Sequence, residues 1–133
     1  MSFSMIGRGD PLLLPDEAPI CAVTGGTGAV GKALVRQLAS DLPHHRLVLL
    51  TRRPERSQTN NITSVFADIT LPDLGLAPHT TRLLEQRAEF FFHCAADTRF
   101  NLPVEEARQV NTEGTRHTLA LARGCRNLRH FAH

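Results

Sequence analysis

The 133-residue sequence predicts an α/β fold, a parallel sheet in strand order 3-2-1-4-5 with helices on both faces, incomplete at its C-terminus. Two observations carry this. Short, nearly continuous apolar runs alternate with segments of helical spacing, which calls for right-handed crossovers between parallel strands. A glycine-rich turn also stands between the first apolar run and the first helical segment.

Each element follows from local chemistry. Ile20-Cys21-Ala22-Val23 is an apolar run ending at glycines, as a strand buried on both faces does. Beyond the turn, Val30, Ala33, Leu34 and Leu38 recur at helical spacing, with Lys32, Arg36 and Gln37 opposite. Pro43 sets the end of that helix near Ser40. Leu47–Leu50 is a second strand, and Ile62–Ala67 a third behind the polar turn Gln58-Thr59-Asn60-Asn61. Residues 71–79 hold Pro72, Gly75 and Pro78 and read as a loop, with Thr80 or Thr81 capping a helix to about Arg87. Phe90-Phe91-Phe92 opens a fourth strand, expected in the core, which runs on through His93-Cys94-Ala95-Ala96. Pro103 precedes a long helix from Val104 to about Arg123, and Leu128–His133 begins a fifth strand.

Composition narrows the class. An apolar fraction of 41% suits one globular domain, here residues 20–133. Residues 1–19, broken by Pro11, Pro15 and Pro19, read as a flexible lead-in rather than a signal peptide. A net charge of +2 excludes nucleic-acid binding or membrane attachment as a bulk property, and no apolar run is long enough to span a bilayer. Cys21, Cys94 and Cys125 are too scattered for disulfides or zinc and suit a reducing, cytoplasmic setting. His44, His45, His79, His117, His130 and His133 show no metal-ligand spacing and are expected at the surface, so no metal is expected. The chain has no Tyr or Trp, and Lys32 is its one lysine.

The run Thr24-Gly25-Gly26-Thr27-Gly28-Ala29-Val30-Gly31 sits where a nucleotide loop must, between a strand and a helix N-terminus. Its glycines permit a tight turn, close approach to a pyrophosphate and close helix packing, while the helix N–H groups face the anion. Gly26, Gly31 and Lys32 also satisfy most of the G-x-x-x-x-G-K-[ST] phosphate loop of triphosphatases. The last position is Ala33, without the hydroxyl that holds magnesium, so the Rossmann-type dinucleotide reading stands. At the end of strand two, where an Asp or Glu would bind the adenosine ribose, the chain reads Leu50-Thr51-Arg52-Arg53. A guanidinium pairs bidentately with a 2′-phosphate, which predicts NADP(H) over NAD(H).

Four segments together resemble the extended short-chain dehydrogenase/reductases over residues 20–133. They are the Thr-Gly-x-x-Gly-x-x-Gly loop, Asp68-Ile69 after strand three, His93-Cys94-Ala95-Ala96 with Phe100, and Val110-Asn111-Thr112-Glu113-Gly114-Thr115. The resemblance implies that Asp68 and the Ile69 N–H hold adenine, that Cys94, Ala95 and Ala96 lie beside the cofactor, and that Asn111 supports the proton relay. Asn is a poor helix former, which itself favours a polar task for Asn111. His93 is expected as a satisfied histidine beneath the cofactor; Arg99 faces either the nicotinamide side or solvent. Asp68-Ile69-Thr70-Leu71-Pro72-Asp73-Leu74-Gly75-Leu76 is similar to a stretch of thioester and fatty acyl-CoA reductases, the male-sterility-type NAD(P)-binding group. That implies reduction of a CoA- or carrier-bound acyl thioester by NADPH in a full-length form.

The family's reduction needs a Tyr, a Lys four residues later and a Ser or Thr after strand five. With no Tyr, the polypeptide is expected to be truncated before that machinery and to bind NADP(H) without turnover. A fragment of a sugar-nucleotide epimerase or dehydratase, and a non-catalytic NADP-binding module, are the alternatives. An open sheet edge at strand five is expected to favour self-association.

Overall fold

The computed structural model describes residues 17–56, 59 and 61–133. The five strands are β1 (Ile20–Thr24), β2 (Arg46–Thr51), β3 (Ile62–Phe66), β4 (Ala88–His93) and β5 (His130–Ala132). They form one parallel sheet in the order β3-β2-β1-β4-β5, as the sequence predicts. The helices are α1 (Ala29–Asp41), α2 (Pro78–Arg87), α3 (Val104–Ala107) and α4 (Gly114–Arg123). Among the described residues no helix is long and apolar enough to cross a membrane.

Alternation along β1 explains the two-sided core. Ile20 and Ala22 join Val48, Leu50, Phe91, Leu84 and Leu121 on one face. Cys21 and Val23 join Leu47, Val35 and Leu38 on the other. A strand apolar from Ile20 to Val23 serves both layers at once, which is the reason it reads as a continuous run. Phe91 is fully buried, contributing on the order of 2 kcal/mol by apolar burial.

Several elements differ from their sequence-based reading. The buried stripe of α1 is Gly31, Val35 and Leu38, whereas Val30 is 75% exposed at the helix tip. The α2 helix starts at Pro78 and not behind a threonine cap. Proline at the first helical position has a preset φ and needs no N–H partner, so the expected Thr80 or Thr81 cap is not formed. The β4 strand stops at His93, because its neighbour β1 ends at Thr24 and the last ladder bond is Cys94 N–H to the Thr24 carbonyl (3.1 Å). Cys94–Ala96 therefore form a loop. Inside the expected 71–79 loop a short 3₁₀ turn covers Pro72–Gly75, with Asp73 (φ 51°) and Leu74 (φ 55°) left-handed and Leu74 fully buried. The long helix is continuous to Arg123 but widens into a π-helical turn at Arg108–Glu113, around Asn111.

Ala18 is buried and the Pro19 carbonyl accepts the Arg46 N–H (2.8 Å), so packing starts just ahead of β1. The remainder of the expected lead-in, and Gln58 and Asn60 of the expected polar turn, lie outside the described residues.

Candidate functional site

The C-terminal ends of β1, β2 and β4 and the residues that follow β3 surround a cavity of about 540 Å³. It opens where the sheet order reverses around β1, the position at which doubly wound sheets bind ligands. Gly25 and Gly28 form one wall, Leu50–Arg52 and Ala67–Thr70 a second, and Cys94–Arg99 a third.

The glycine wall is set by sterics. Gly25 has φ +70°, and a Cβ there would run into the Ala95 nitrogen and the Cys94 carbonyl carbon. A Cβ on Gly31 would overlap the Gly25 carbonyl oxygen. The loop thus closes on α1 and on the β4 loop only because both positions are bare. The first turn of α1 carries no acidic residue, and Gly28 makes no side-chain cap. Its leading N–H groups are left to an anion.

On the β3 side, Asp68 Oδ1 accepts the Thr70 N–H (2.9 Å) and the Thr70 hydroxyl (2.7 Å). The Thr70 hydroxyl, with the Thr70 amide and the nearby Arg52 charge, holds the Asp68 carboxyl below its usual range against an opposing desolvation. The backbone is fixed as well: Asp68 N–H donates to the Leu74 carbonyl (2.8 Å). His117 Nδ1 lies 2.8 Å from the Ile69 carbonyl, and a carbonyl only accepts, so that nitrogen carries the proton.

On the β4 side, His93 is buried between two threonines, its Nδ1 2.6 Å from Thr24 Oγ1 and its Nε2 3.2 Å from Thr115 Oγ1. Burial, then the neighbouring His133, pushes its pKa down to about 4, so it is neutral and no proton donor near pH 7. Asn111 Nδ2 donates to the Asp97 carbonyl (2.9 Å), and Asn111 Oδ1 accepts the Asp97 N–H (2.8 Å). Arg99 lies on the cavity wall and grips Asp97 bidentately through Nε (2.9 Å) and a terminal nitrogen (2.6 Å). That guanidinium holds the Asp97 carboxyl low.

The structure brings Gly25, Thr27, Gly28, Arg52, Asp68, Ile69, Cys94, Ala95 and Ala96 to one cavity. Thr24 and Gly26 lie buried behind it, Gly31 seals the loop from below, and Ala29 and Val30 sit exposed at the start of α1. Arg53 is exposed, its N–H on Thr51 Oγ1 (3.2 Å), and is not among the lining residues. Asn111 is tied to the loop and does not face the cavity, unlike its neighbour Val110. Sequence reasoning missed Thr70, Asp97 and His117, which acquire their roles only through the fold. It also expected His45 and His117 at the surface. His45 is instead half-buried and 3.1 Å from Glu89 Oε1, and His117 serves Ile69. Cys21 and Cys125 are buried as expected, while Cys94 is partly open to the cavity. Among the described residues no cluster fit to hold a metal occurs.

A family described as male sterility protein, an NAD-binding family, matches residues 51–133. Fatty acyl-CoA reductase 1 of Gallus gallus is 30% identical over 136 residues, covering 84% of this chain and 26% of that protein. The terminal R domain from the myxalamid PKS-NRPS biosynthetic pathway has a TM-score of 0.67 at 26% identity, covering 90% of this chain and 35% of that one. The reductase (R) domain of a nonribosomal peptide synthetase from Mycobacterium tuberculosis shares the fold at a TM-score of 0.69 and 22% identity, covering 98% and 36%. This chain spans about a quarter of the length of the fatty acyl-CoA reductase it matches. The chain belongs to the male sterility NAD-binding family, as an NAD(P)-binding domain similar to those of acyl-CoA and thioester reductases.

Proposed function

We propose that residues 20–133 are the NADP(H)-binding domain of a reductase of acyl thioesters, CoA- or carrier-bound, and that this chain by itself binds NADPH without turnover. The cofactor choice rests on one observation: at the end of β2 the cavity wall carries Arg52, with no carboxylate on that strand end. A guanidinium there attracts a 2′-phosphate, where an acid would repel it.

The residues fit the group. Gly25, Gly26, Thr27 and Gly28, with the first-turn amides of Ala29, Val30 and Gly31, form a loop of bare positions with no acidic residue in the first helical turn, the chemistry that suits a pyrophosphate. Asp68 and Ile69 take the adenine edge; Arg52, and Arg53 if its side chain reorients, takes the 2′-phosphate. Cys94, Ala95 and Ala96 form the wall toward the nicotinamide, and Asn111 keeps that wall in place. The cofactor, when bound, supplies a hydride for a thioester carbonyl. The proton donor of the family reaction is missing from this sequence, which has no Tyr and whose Lys32 is exposed on α1.

Fluorescence titration of the chain with NADPH and NADH at physiological salt tests this. NADPH is expected to bind about tenfold more tightly, the equivalent of roughly 1.4 kcal/mol; equal affinities would reject the NADP assignment. Absorbance at 340 nm with NADPH and an acyl-CoA is expected to stay flat. DNA sequence past codon 133 separates an enzyme fragment from a non-catalytic binding module, since an open frame running into Tyr-x-x-x-Lys supports the enzyme and its absence the module. The β5 strand is an outer edge of the sheet, and light scattering at high concentration tests whether copies pair along it.

A further inference from the structure

A chain of hydrogen bonds runs through the molecule behind the cavity, and counting its protons fixes the state of His93. Thr115 has one hydroxyl proton, and the Asn111 carbonyl 2.8 Å away can only accept, so the proton lies there. Thr115 Oγ1 must therefore accept from His93 Nε2–H (3.2 Å). The neutral ring has no second proton, so Nδ1 accepts the Thr24 hydroxyl (2.6 Å). Thr24 Oγ1 in turn accepts the Ala95 N–H (3.2 Å). Every donor and acceptor in the series is used once. The opposite tautomer leaves Nε2 facing an oxygen with no proton to offer. The imidazolium leaves the hydroxyl proton of Thr24, a residue with no exposed surface, without an acceptor. His133, the residue after β5, with its ring centroid 5.1 Å from that of His93, is the only titratable side chain with a ring contact or hydrogen bond to it among the described residues.

The series closes on itself. Asn111 offers its carbonyl to Thr115 and its side-chain amide to the Asp97 backbone, so residues 93, 95 and 97 are each tied to a different anchor. We propose that His93, held as the neutral Nε2–H tautomer, is a positioning residue that couples the Asn111 helical segment to Thr24 and Ala95, and so sets the spacing between the glycine loop and the β4 loop. The spacing is tight, because the Ala95 nitrogen is the atom nearest to where a Gly25 Cβ would stand. The effect on nucleotide affinity rests on the cofactor reading given above; the tautomer and the coupling do not.

The experiment uses the ¹⁵N-labelled chain without nucleotide. Long-range ¹⁵N–¹H correlation is expected to show His93 with a protonated Nε2 and a bare Nδ1 throughout about pH 5–8. A protonated Nδ1 overturns the proposal. Thr115→Val keeps the shape but removes the acceptor, and is expected to speed hydrogen exchange of the Ala95 amide about tenfold while Phe91 is unchanged. His93→Phe is expected to do the same, and His93→Asn, which keeps one donor and one acceptor, to restore part of the protection. Unchanged Ala95 exchange in a folded Thr115→Val chain overturns the coupling even if His93→Phe fails to fold. An NADPH titration of the same samples separates the two ideas. Loss of Ala95 protection with unaltered NADPH affinity overturns the link to the site, and absence of NADPH binding in the parent chain sinks the cofactor reading alone.

Discussion

Asn111 and Asp97 form a closed ring of two hydrogen bonds, 2.8 and 2.9 Å long, between one side-chain amide and one backbone unit. The π-helical turn at 108–113 carries that amide, and such turns often mark functional positions. Both bonds are exposed, so each contributes toward the low end of the roughly 0.5–1.5 kcal/mol range. Asn111→Ala is expected to lower stability by about 1 kcal/mol in urea unfolding and to weaken NADPH binding more than stability. Asn111→Asp keeps the acceptor, loses the donor and adds charge beside Asp97; it is expected to be no better than alanine. Equal NADPH affinity in all three chains would remove Asn111 from the site.

Two glycines of the loop separate packing from simple proximity. A Cβ on Gly31 overlaps the Gly25 carbonyl oxygen, and neither backbone can yield cheaply. Gly31→Ala is therefore expected to cost about 1–3 kcal/mol, as overpacking does, and to abolish saturable NADPH binding. At Gly28 a Cβ stands 3.6 Å from that same oxygen, an ordinary contact, and the backbone there is extended with φ −74°. Gly28→Ala is expected to fold with near-parent stability. Thermal unfolding of the pair checks the contrast, and similar melting temperatures would refute it.

Arg52 and Arg53 are adjacent in sequence but not equivalent in space. Arg52 lines the cavity and its charge reaches the carboxyl groups of Asp68 and Asp97, while Arg53 is exposed beside Thr51 and does not line it. Arg52→Ala is expected to weaken NADPH about tenfold, the loss of one charge-assisted contact, while NADH changes by less than about twofold. Arg53→Ala is expected to change both by less than about twofold. The reverse ranking in paired titrations would assign the 2′-phosphate to Arg53.

Strands, glycine loop and strand order were legible because each is written locally. The β1 strand is apolar and buried from Ile20 to Val23, the turn follows at once after Thr24, and alternation of elements fixes the topology. Asp68 was picked out by resemblance to the family's Asp-Ile after strand three, and it stands on the cavity wall. Val30 was misplaced on the buried face of α1, because four apolar residues at helical spacing do not say which turn of a helix clears the sheet. The fixing contacts carry no pattern at all. His117 reaches Ile69 across 48 positions, and Thr24 reaches His93 across 69. A histidine or threonine in such a pair looks in sequence like any surface polar residue. The left-handed pair Asp73 and Leu74 was hidden too: Asp is enriched at positive φ but occurs there only in a minority of cases, and Leu gives no such signal.

The buried state of His93 also predicts how stability depends on pH. Unfolded, the ring titrates near its ordinary value of about 6.5, whereas burial and the neighbouring His133 push the folded value down to about 4. Between those values the unfolded chain takes up a proton that the folded chain refuses, so the folded state loses ground as pH falls. The loss is absent above about pH 6.5, grows down to about pH 4 and then levels off, reaching roughly 3 kcal/mol at 1.36 kcal/mol per pH unit. Asp68 and Asp97 act in a lower window. Their carboxyl groups are held below 3.8, so they support the fold above that value and lose their contribution only as pH falls past it. Urea unfolding of the parent chain at about pH 7, 6, 5 and 4 is expected to show the decline, and His93→Gln, which does not titrate, to remove it from that window. A variant with the parent's slope between pH 6 and 4 would place the titrating group elsewhere and count against a neutral, buried His93.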